Sequence, residues 1–124
     1  MDVPFIFKND TLKGKTAFIT GGASGIGLGI SHRMAMAGAN VVIASRRMDL
    51  CDAVAKDIES KHGVRAMGIA LNVRDSENVN AAMDHAAETM GGIDILVNNA
   101  AGNFYHPAAK LSDNQWKAVL EIDL

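Results

Sequence analysis

Residues 20–27 read Thr-Gly-Gly-Ala-Ser-Gly-Ile-Gly, a spacing of small residues that suits the binding of a diphosphate. Gly21 permits a tight turn, Gly25 lets the backbone approach the anion, and Gly27 lets a following helix pack closely. The free N–H groups and positive end of that helix attract the anion, and Ser24 adds a hydroxyl. The expected phosphate-binding residues are Gly21, Gly22, Ala23, Ser24, Gly25, Ile26 and Gly27. The alternative is a glycine-rich turn that binds no ligand.

A second candidate site follows the apolar run at 40–44, where the chain reads Ser45-Arg46-Arg47. Folds that bind NAD usually place an acidic side chain here, against the ribose hydroxyls. Two guanidinium groups beside a hydroxyl suit a 2′-phosphate instead, and the absence of a carboxylate removes a repulsion. The sequence therefore predicts NADP(H) rather than NAD(H). The alternative is a solvated basic pair at the start of a helix.

These residues must be positioned by alternating strands and helices. Apolar runs predict strands at 15–20, 40–45, 65–71 and 93–98, and helical periodicity predicts helices at 25–37, 49–62, 75–90 and from Ser112 onward. This alternation with short loops predicts an α/β fold, a Rossmann-like doubly wound parallel sheet in three α/β/α layers with strand order 3-2-1-4. The glycine run then lies at the switch point between strands one and four. Residues 1–14 are expected to form an N-terminal arm, and residues 15–124 an NADP-binding domain.

The first predicted helix has an apolar face that begins at Ile26 and ends at Ala37. Ser31, His32 and Arg33 fall on the opposite, solvent side of this prediction. His32 is therefore interpreted as a surface histidine that binds no ligand.

Composition excludes several classes of function. The chain of 124 residues is 48% hydrophobic and 21% charged, as expected for one soluble globular domain. A net charge of -2 without a basic run argues against nucleic acid, and no segment is apolar for long enough to span a membrane. The single Cys51 excludes an internal disulfide and is expected to be buried, and the four scattered histidines argue against a metal site.

The end of the fourth strand carries a further motif, Asn98-Asn99-Ala100-Ala101-Gly102. With the glycine run, it resembles the cofactor loops of short-chain dehydrogenases/reductases over residues 15–124, although the family's N-N-A-G motif is lengthened here by one alanine. The resemblance implies that the nicotinamide ribose lies beside Asn99, Ala100, Ala101 and Gly102. It also implies that the adenine lies near Asn72 and Val73, where the family commonly has Asp-Val.

Residues 100–104, 107–108, 111–112 and 122–123 resemble more narrowly the peroxisomal type of 2,4-dienoyl-CoA reductase. Those enzymes hold aspartate at the position of Asp123, where most of the superfamily holds asparagine. The resemblance implies that NADPH reduces a conjugated dienoyl thioester and that Asp123 helps to position a proton-donating water. It further implies that an acyl-CoA substrate is bound by Arg74, Phe104, Ser112 and Asn114.

Other interpretations remain open at this point. A short-chain dehydrogenase acting on an alcohol or ketone shares the same cofactor half, and a nucleotide-binding module without catalysis is a third possibility. A methyltransferase is disfavoured because that fold normally has an acidic residue where Arg46 stands. Tyr105 and Lys110 are spaced one residue too far apart for the family's Tyr-x-x-x-Lys pair, which is expected beyond Leu124.

The last predicted helix has no stop signal, so we expect the chain to be part of a longer domain. The intact protein is expected to be a homo-oligomer, cytoplasmic if bacterial and peroxisomal if eukaryotic.

Overall fold

A computed structural model describes residues 4–102 and 106–123 and confirms the predicted α/β architecture. Four parallel strands are present, β1 (Thr16–Thr20), β2 (Asn40–Ser45), β3 (Ala66–Ala70) and β4 (Ile95–Val97), in the order β3-β2-β1-β4. The helices are α1 (Gly25–Met36), α2 (Met48–His62), α3 (Ser76–Met90) and α4 (Asp113–Asp123), with a short 3-10 turn at Ala108–Lys110 before α4.

The core lies on both faces of the sheet, because alternate residues of the two central strands point to opposite sides. Ile19 and Ile43 face α1 and α2, where Ile58 of α2 is also fully buried. Phe18 and Val42 face α3 on the other side. The three expected layers are therefore formed.

Helix ends follow the chemistry expected from the sequence. The carboxylate of Asp75 accepts the N–H groups of Glu77 and Asn78, each at 3.1 Å, and so caps α3. α2 and α3 end at glycines with left-handed backbone, Gly63 and Gly91.

Two details differ from the sequence-based expectation. β4 is only three residues long, because the Asp94 carboxylate accepts the Thr16 N–H at 2.9 Å where a strand carbonyl would otherwise do so. Ile26 was expected on the buried face of α1 but is 80% exposed. It lies in the first turn of α1, between a cleft and an apolar groove rather than over the sheet.

The described part of the N-terminal arm, residues 4–14, packs against the end of α1. The Leu12 N–H donates to the Ala37 carbonyl at 2.7 Å, and the Arg33 guanidinium lies 5.9 Å from the centre of the Phe5 ring. Phe7 is 61% exposed. Among the described residues, no helix has the length and apolar character needed to cross a bilayer.

His32 and His62 meet where α1 packs on α2, a contact that the interpretation of His32 as a surface histidine did not include. His32 Nδ1 lies 2.9 Å from His62 Nε2, and the other ring nitrogen of His32 lies 3.6 Å from the Asp57 carboxylate. Lys61 donates to the same carboxylate at 2.8 Å, and this hydrogen bond lowers the pKa of Asp57. Burial lowers the pKa of His62, and the nearby His32 lowers it further.

This histidine pair predicts a pH dependence of stability. The unfolded pKa of His62 is about 6.5, so just below that pH the folded protein binds fewer protons than the unfolded chain. The free energy of unfolding is therefore expected to fall as the pH decreases from about 7.5 to 5.5. His62→Gln should make this fall less steep, as measured by urea unfolding at several pH values. His85→Gln, on the exposed face of α3, should keep the wild-type slope. Equal slopes for wild type and His62→Gln would contradict the assignment.

Candidate functional site

The glycine loop between β1 and α1 has the tight geometry expected of it. Gly21 has a φ of 65° and Gly25 a φ of 54°, in the left-handed region that favours glycine. A Cβ at Gly27 would lie 2.0 Å from the Gly21 carbonyl oxygen. The start of α1 therefore packs on its own loop at a distance that only glycine allows.

A serine that the sequence placed on the solvent side supports this loop from beneath. Ser31 is fully buried, and its Oγ lies 3.0 Å from the Gly22 carbonyl and 2.9 Å from the Gly27 carbonyl. The expectation of an exposed Ser31 was wrong because its hydroxyl is satisfied by backbone carbonyls inside the fold. Its position four residues after Gly27, on the same helix face, is the signal that could have identified it.

A hydrogen-bond network joins the glycine loop to the end of β4. The Thr20 hydroxyl accepts the N–H groups of Asn99 and Ala100, each at 3.0 Å, and lies 3.3 Å from the Val97 carbonyl. The Asn99 side-chain amide donates to the carbonyls of Thr20 at 3.0 Å and Gly21 at 3.3 Å. The two loops expected to bind the cofactor are thus fixed to each other.

A cleft of about 710 Å³ opens where these loops meet, at the carboxyl ends of the strands. The predicted cofactor residues on its wall are Gly21, Ser24, Ile26, Gly27, Ser45, Arg46, Asn72, Val73, Asn99, Ala100, Ala101 and Gly102. The sequence did not single out four further lining residues, Ala44, Leu71, Ala118 and Ile122. Of the remaining predicted residues, Gly22 and Ala23 are buried within the loop and Gly25 is exposed. The volume is in the range of small-molecule sites.

The first turn of α1 forms the anion-binding end of the cleft. Ser24 is the N-cap, with extended backbone, and makes no side-chain capping bond to the helix. The first-turn N–H groups of any helix lack partners within the helix. A Cβ at Gly25 would meet no atom within 4 Å, so a ligand can approach the backbone closely there. The geometry therefore suits a diphosphate.

The two arginines after β2 are placed differently. Arg46 lines the cleft, whereas Arg47 is not among its lining residues. The Arg47 guanidinium donates to Asp49 at 3.2 Å, and this hydrogen bond lowers the pKa of that carboxyl. The Arg47 backbone N–H donates to the Ser45 Oγ at 3.2 Å. Of the two arginines expected to face the ligand, Arg46 therefore lies on the cleft wall, whereas Arg47 makes contacts within the loop and with the start of α2.

Residues after β3 bridge the cleft to α4. Asn72 turns its side-chain oxygen toward its own loop, where it accepts the Arg74 N–H at 3.1 Å. Arg74 lines the cleft, and its Nε donates to the Glu121 carboxylate of α4 at 2.7 Å. An arginine expected at the acyl-CoA site is therefore held at the cleft wall by an acidic residue that the sequence did not single out.

The remaining candidates lie around α4. The Asp123 carboxylate accepts the Gly102 N–H at 2.9 Å, which joins the last turn of α4 to the loop after β4. Ser112 and Gln115 form the predicted capping box, with the Ser112 N–H donating to Gln115 Oε1 at 2.9 Å and the Gln115 N–H donating to Ser112 Oγ at 3.3 Å. Asn114 is exposed and is not among the cleft-lining residues.

Phe104 and Tyr105 fall outside the described residues. Lys110 is exposed in the 3-10 turn before α4. Within residues 4–102 and 106–123, no three His, Cys, Asp or Glu side chains converge to hold a metal ion.

The loop geometry generates a matched pair of variants on α1. Gly27→Ala places a methyl group against the Gly21 carbonyl, so we expect it to cost about 1–3 kcal/mol of stability and to weaken binding of an anion in the cleft. Gly29→Ala, two residues along the same helix, meets no atom within 4 Å. That change should raise stability by about 0.5–1 kcal/mol through helix propensity. Urea unfolding measures both, and equal effects of the two variants would be incompatible with the proposed close contact.

A family model described as short chain dehydrogenase matches residues 15–124. The peroxisomal 2,4-dienoyl-CoA reductase of Danio rerio is 47% identical over 118 residues, which cover 95% of this chain and 39% of the relative. The enzyme of that name from Arabidopsis thaliana is 41% identical over 123 residues, covering 99% of this chain and 40% of the relative.

Solved structures show the same similarity. An L-sorbose reductase from Gluconobacter frateurii, complexed with NADPH and L-sorbose, is 35% identical with a TM-score of 0.85, covering 92% of this chain and 43% of that one. A short chain dehydrogenase from Mycobacterium smegmatis is 28% identical with a TM-score of 0.91, covering 100% of this chain and 52% of that one. The chain spans less than half the length of the two curated relatives described above. Its sequence match and its fold lead to one conclusion, that the chain belongs to the short-chain dehydrogenase family of oxidoreductases.

Proposed function

We propose that the intact protein is an NADPH-dependent reductase of 2,4-dienoyl-CoA thioesters. The observation that carries the proposal is the single cleft that brings together the glycine loop, Arg46 and the loop after β4. The substrate class is supported by the 47% identity with a relative named peroxisomal 2,4-dienoyl-CoA reductase. Asp123 supports the same class, because by resemblance the peroxisomal-type reductases hold aspartate where most of the superfamily holds asparagine.

The residues present fit a dinucleotide phosphate. The open backbone at Gly25 and the first turn of α1 would hold the diphosphate, and Ser45 with Arg46 would hold the 2′-phosphate. Asn72 and Val73 would lie beside the adenine, and the loop at 99–102 beside the nicotinamide ribose. When bound, NADPH supplies the hydride that reduces the far end of the conjugated thioester.

The chain's own residues would then orient the substrate and help to deliver the proton that it receives. Arg74 would contact the acyl-CoA from the cleft wall, where the Glu121 carboxylate fixes the orientation of its guanidinium. Phe104, Ser112 and Asn114 would complete the acyl-CoA site. The carboxylate of Asp123 would help to hold a proton-donating water, with its Oδ1 kept in place by the Gly102 N–H.

The intact protein would act as a homo-oligomer, and would be peroxisomal in a eukaryote, as the names of the relatives suggest, or cytoplasmic in a bacterium. The alternative substrate class is an alcohol or ketone. It is supported by the 35% identity with an L-sorbose reductase whose structure contains NADPH and L-sorbose.

The proposal is tested by following NADPH oxidation by the intact protein with a 2,4-dienoyl-CoA and then with simple ketones. Turnover of the dienoyl thioester with production of a 3-enoyl-CoA is the expected result. Turnover of ketones alone would replace the proposal with the alternative. Absence of turnover with either substrate, despite NADPH binding, would indicate a nucleotide-binding protein without this activity.

Cofactor choice generates a second matched pair of variants, Arg46→Ala and Arg47→Ala. Loss of a charge-assisted hydrogen bond costs about 1.5–3 kcal/mol, so Arg46→Ala should weaken NADPH binding roughly 10- to 100-fold and leave NADH binding nearly unchanged. Arg47→Ala should have a smaller effect, because its guanidinium already pairs with Asp49. Fluorescence titration of each reduced cofactor gives the dissociation constants. If Arg46→Ala weakened both cofactors equally, 2′-phosphate recognition would have to be assigned elsewhere.

For Asp123, the informative change is to asparagine. Asp123→Asn keeps a side-chain oxygen that can accept the Gly102 N–H, but it removes the negative charge. We expect the turnover number to fall at least about tenfold, within the range of general acid–base contributions, while the dissociation constant for NADPH stays near that of wild type. Steady-state assays and titration of the same samples measure both quantities. A parallel loss of turnover and NADPH affinity would identify a structural role instead.

A further inference from the structure

Cys51, the one cysteine of the chain, makes a polar contact at the end of β2. It is fully buried in the first turn of α2, and its Sγ lies 3.0 Å from the Ser45 Oγ. Ser45 is half-buried and lines the cleft, whereas Cys51 is not among the cleft-lining residues. The thiol therefore touches the cleft only through the serine hydroxyl.

The position of Cys51 is fixed by backbone packing. Its N–H donates to the Arg47 carbonyl at 3.0 Å in the first turn of α2. Across the interface, a Cβ at Gly68 of β3 would lie 2.7 Å from the Cys51 carbonyl carbon and 2.8 Å from the Asp52 nitrogen. Helix α2 thus packs directly onto β3 at this point, which fixes the backbone that carries the thiol.

The hydroxyl of Ser45 has two acceptor lone pairs and one proton to donate. The Arg47 N–H already donates to this oxygen at 3.2 Å. Either atom can donate in the contact between Ser45 Oγ and Cys51 Sγ. When the thiol is the donor, both lone pairs of the serine oxygen are occupied and its hydroxyl proton points to another acceptor. The side of Ser45 that faces the cleft is where a ligand would supply that acceptor.

A phosphate and a sugar hydroxyl differ in what they need from such a serine. A phosphate oxygen only accepts, so a serine that only donates suits it fully. A ribose hydroxyl both donates and accepts, and its proton would find no lone pair on this oxygen. We infer that the Cys51 thiol is the donor in its contact with Ser45 and is thereby a positioning residue for cofactor selection, which commits the Ser45 hydroxyl to donating toward the ribose 2′-phosphate of NADP(H).

This inference rests on the proposed NADPH preference and deepens it. The probes are 2′,5′-ADP and 5′-AMP, which isolate the contribution of the 2′-phosphate from that of the nicotinamide. The quantity measured by calorimetric titration of the intact protein is the ratio of their dissociation constants, which is called here the phosphate preference.

We expect Cys51→Ala to lower the phosphate preference about threefold to tenfold, as for the loss of one hydrogen bond. Cys51→Ser, which keeps a donor and acceptor at this position, should retain most of it. In a Ser45→Ala background, Cys51→Ala should change the preference no further, because the route through the serine is already lost. A purely structural role would not produce this dependence on Ser45.

The matched control is Ile58→Val, also fully buried on α2. It should lower the melting temperature without changing the phosphate preference. If Cys51→Ala weakened both probes equally, or acted in the Ser45→Ala background as well, the inference would be overturned while the proposed function stood. A wild-type protein that showed no phosphate preference would overturn the inference and the NADPH preference together.

Discussion

The hydrogen bonds between Thr20 and Asn99 are the constraint on which the rest of the site depends. Parallel strands β1 and β4 are adjacent in the sheet but 75 residues or more apart in sequence, so nothing local aligns their ends. One threonine hydroxyl accepts two N–H groups from the loop after β4, and the Asn99 amide returns two bonds to the glycine loop. Partly buried polar groups of this kind are costly unless all are paired. These hydrogen bonds hold the glycine loop and the loop after β4 together, and the cleft lies between the two loops.

Charge around the cleft is distributed unevenly, and this affects what the cleft can select. Arg47 and Arg74 each have a carboxylate partner, Asp49 and Glu121 respectively. These exposed pairs add little stability, but they fix where the guanidiniums point. Arg46 lines the cleft as well. Of Arg46, Arg47 and Arg74, it is therefore the arginine whose charge is best placed to distinguish one anionic ligand from another. Under the proposed function, cofactor selectivity would thus depend on which arginine is already paired as well as on how many are present.

The sequence predicted the sheet order, the tight turn of the glycine loop and the helix caps, because each depends on local chemistry or on general rules of connection. It failed for Ser31 because hydropathy treats a serine as solvent-exposed, whereas this hydroxyl is paired with two backbone carbonyls. It did not reveal the contact between His32 and His62, because residues thirty apart in sequence meet only through helix packing. The same reason applies to Glu121, whose partner lies 47 positions earlier in the chain. The pattern of residues along the sequence does not show which side chains of different helices and loops come into contact.

Asp123 has a structural role that the hydrogen bonds show and a chemical role that belongs to the proposed function. The Gly102 N–H needs an acceptor so that the last turn of α4 stays against the loop after β4. Asparagine, the residue that most of the superfamily has here, would supply such an oxygen equally well. The hydrogen bond therefore explains why an acceptor stands at this position, but it does not explain why that acceptor is charged. A carboxylate also orders water and stabilises a proton donor, as an amide does only weakly. The fold thus accounts for the oxygen of Asp123 but not for its charge, and it is this charge that the proposed proton transfer would use.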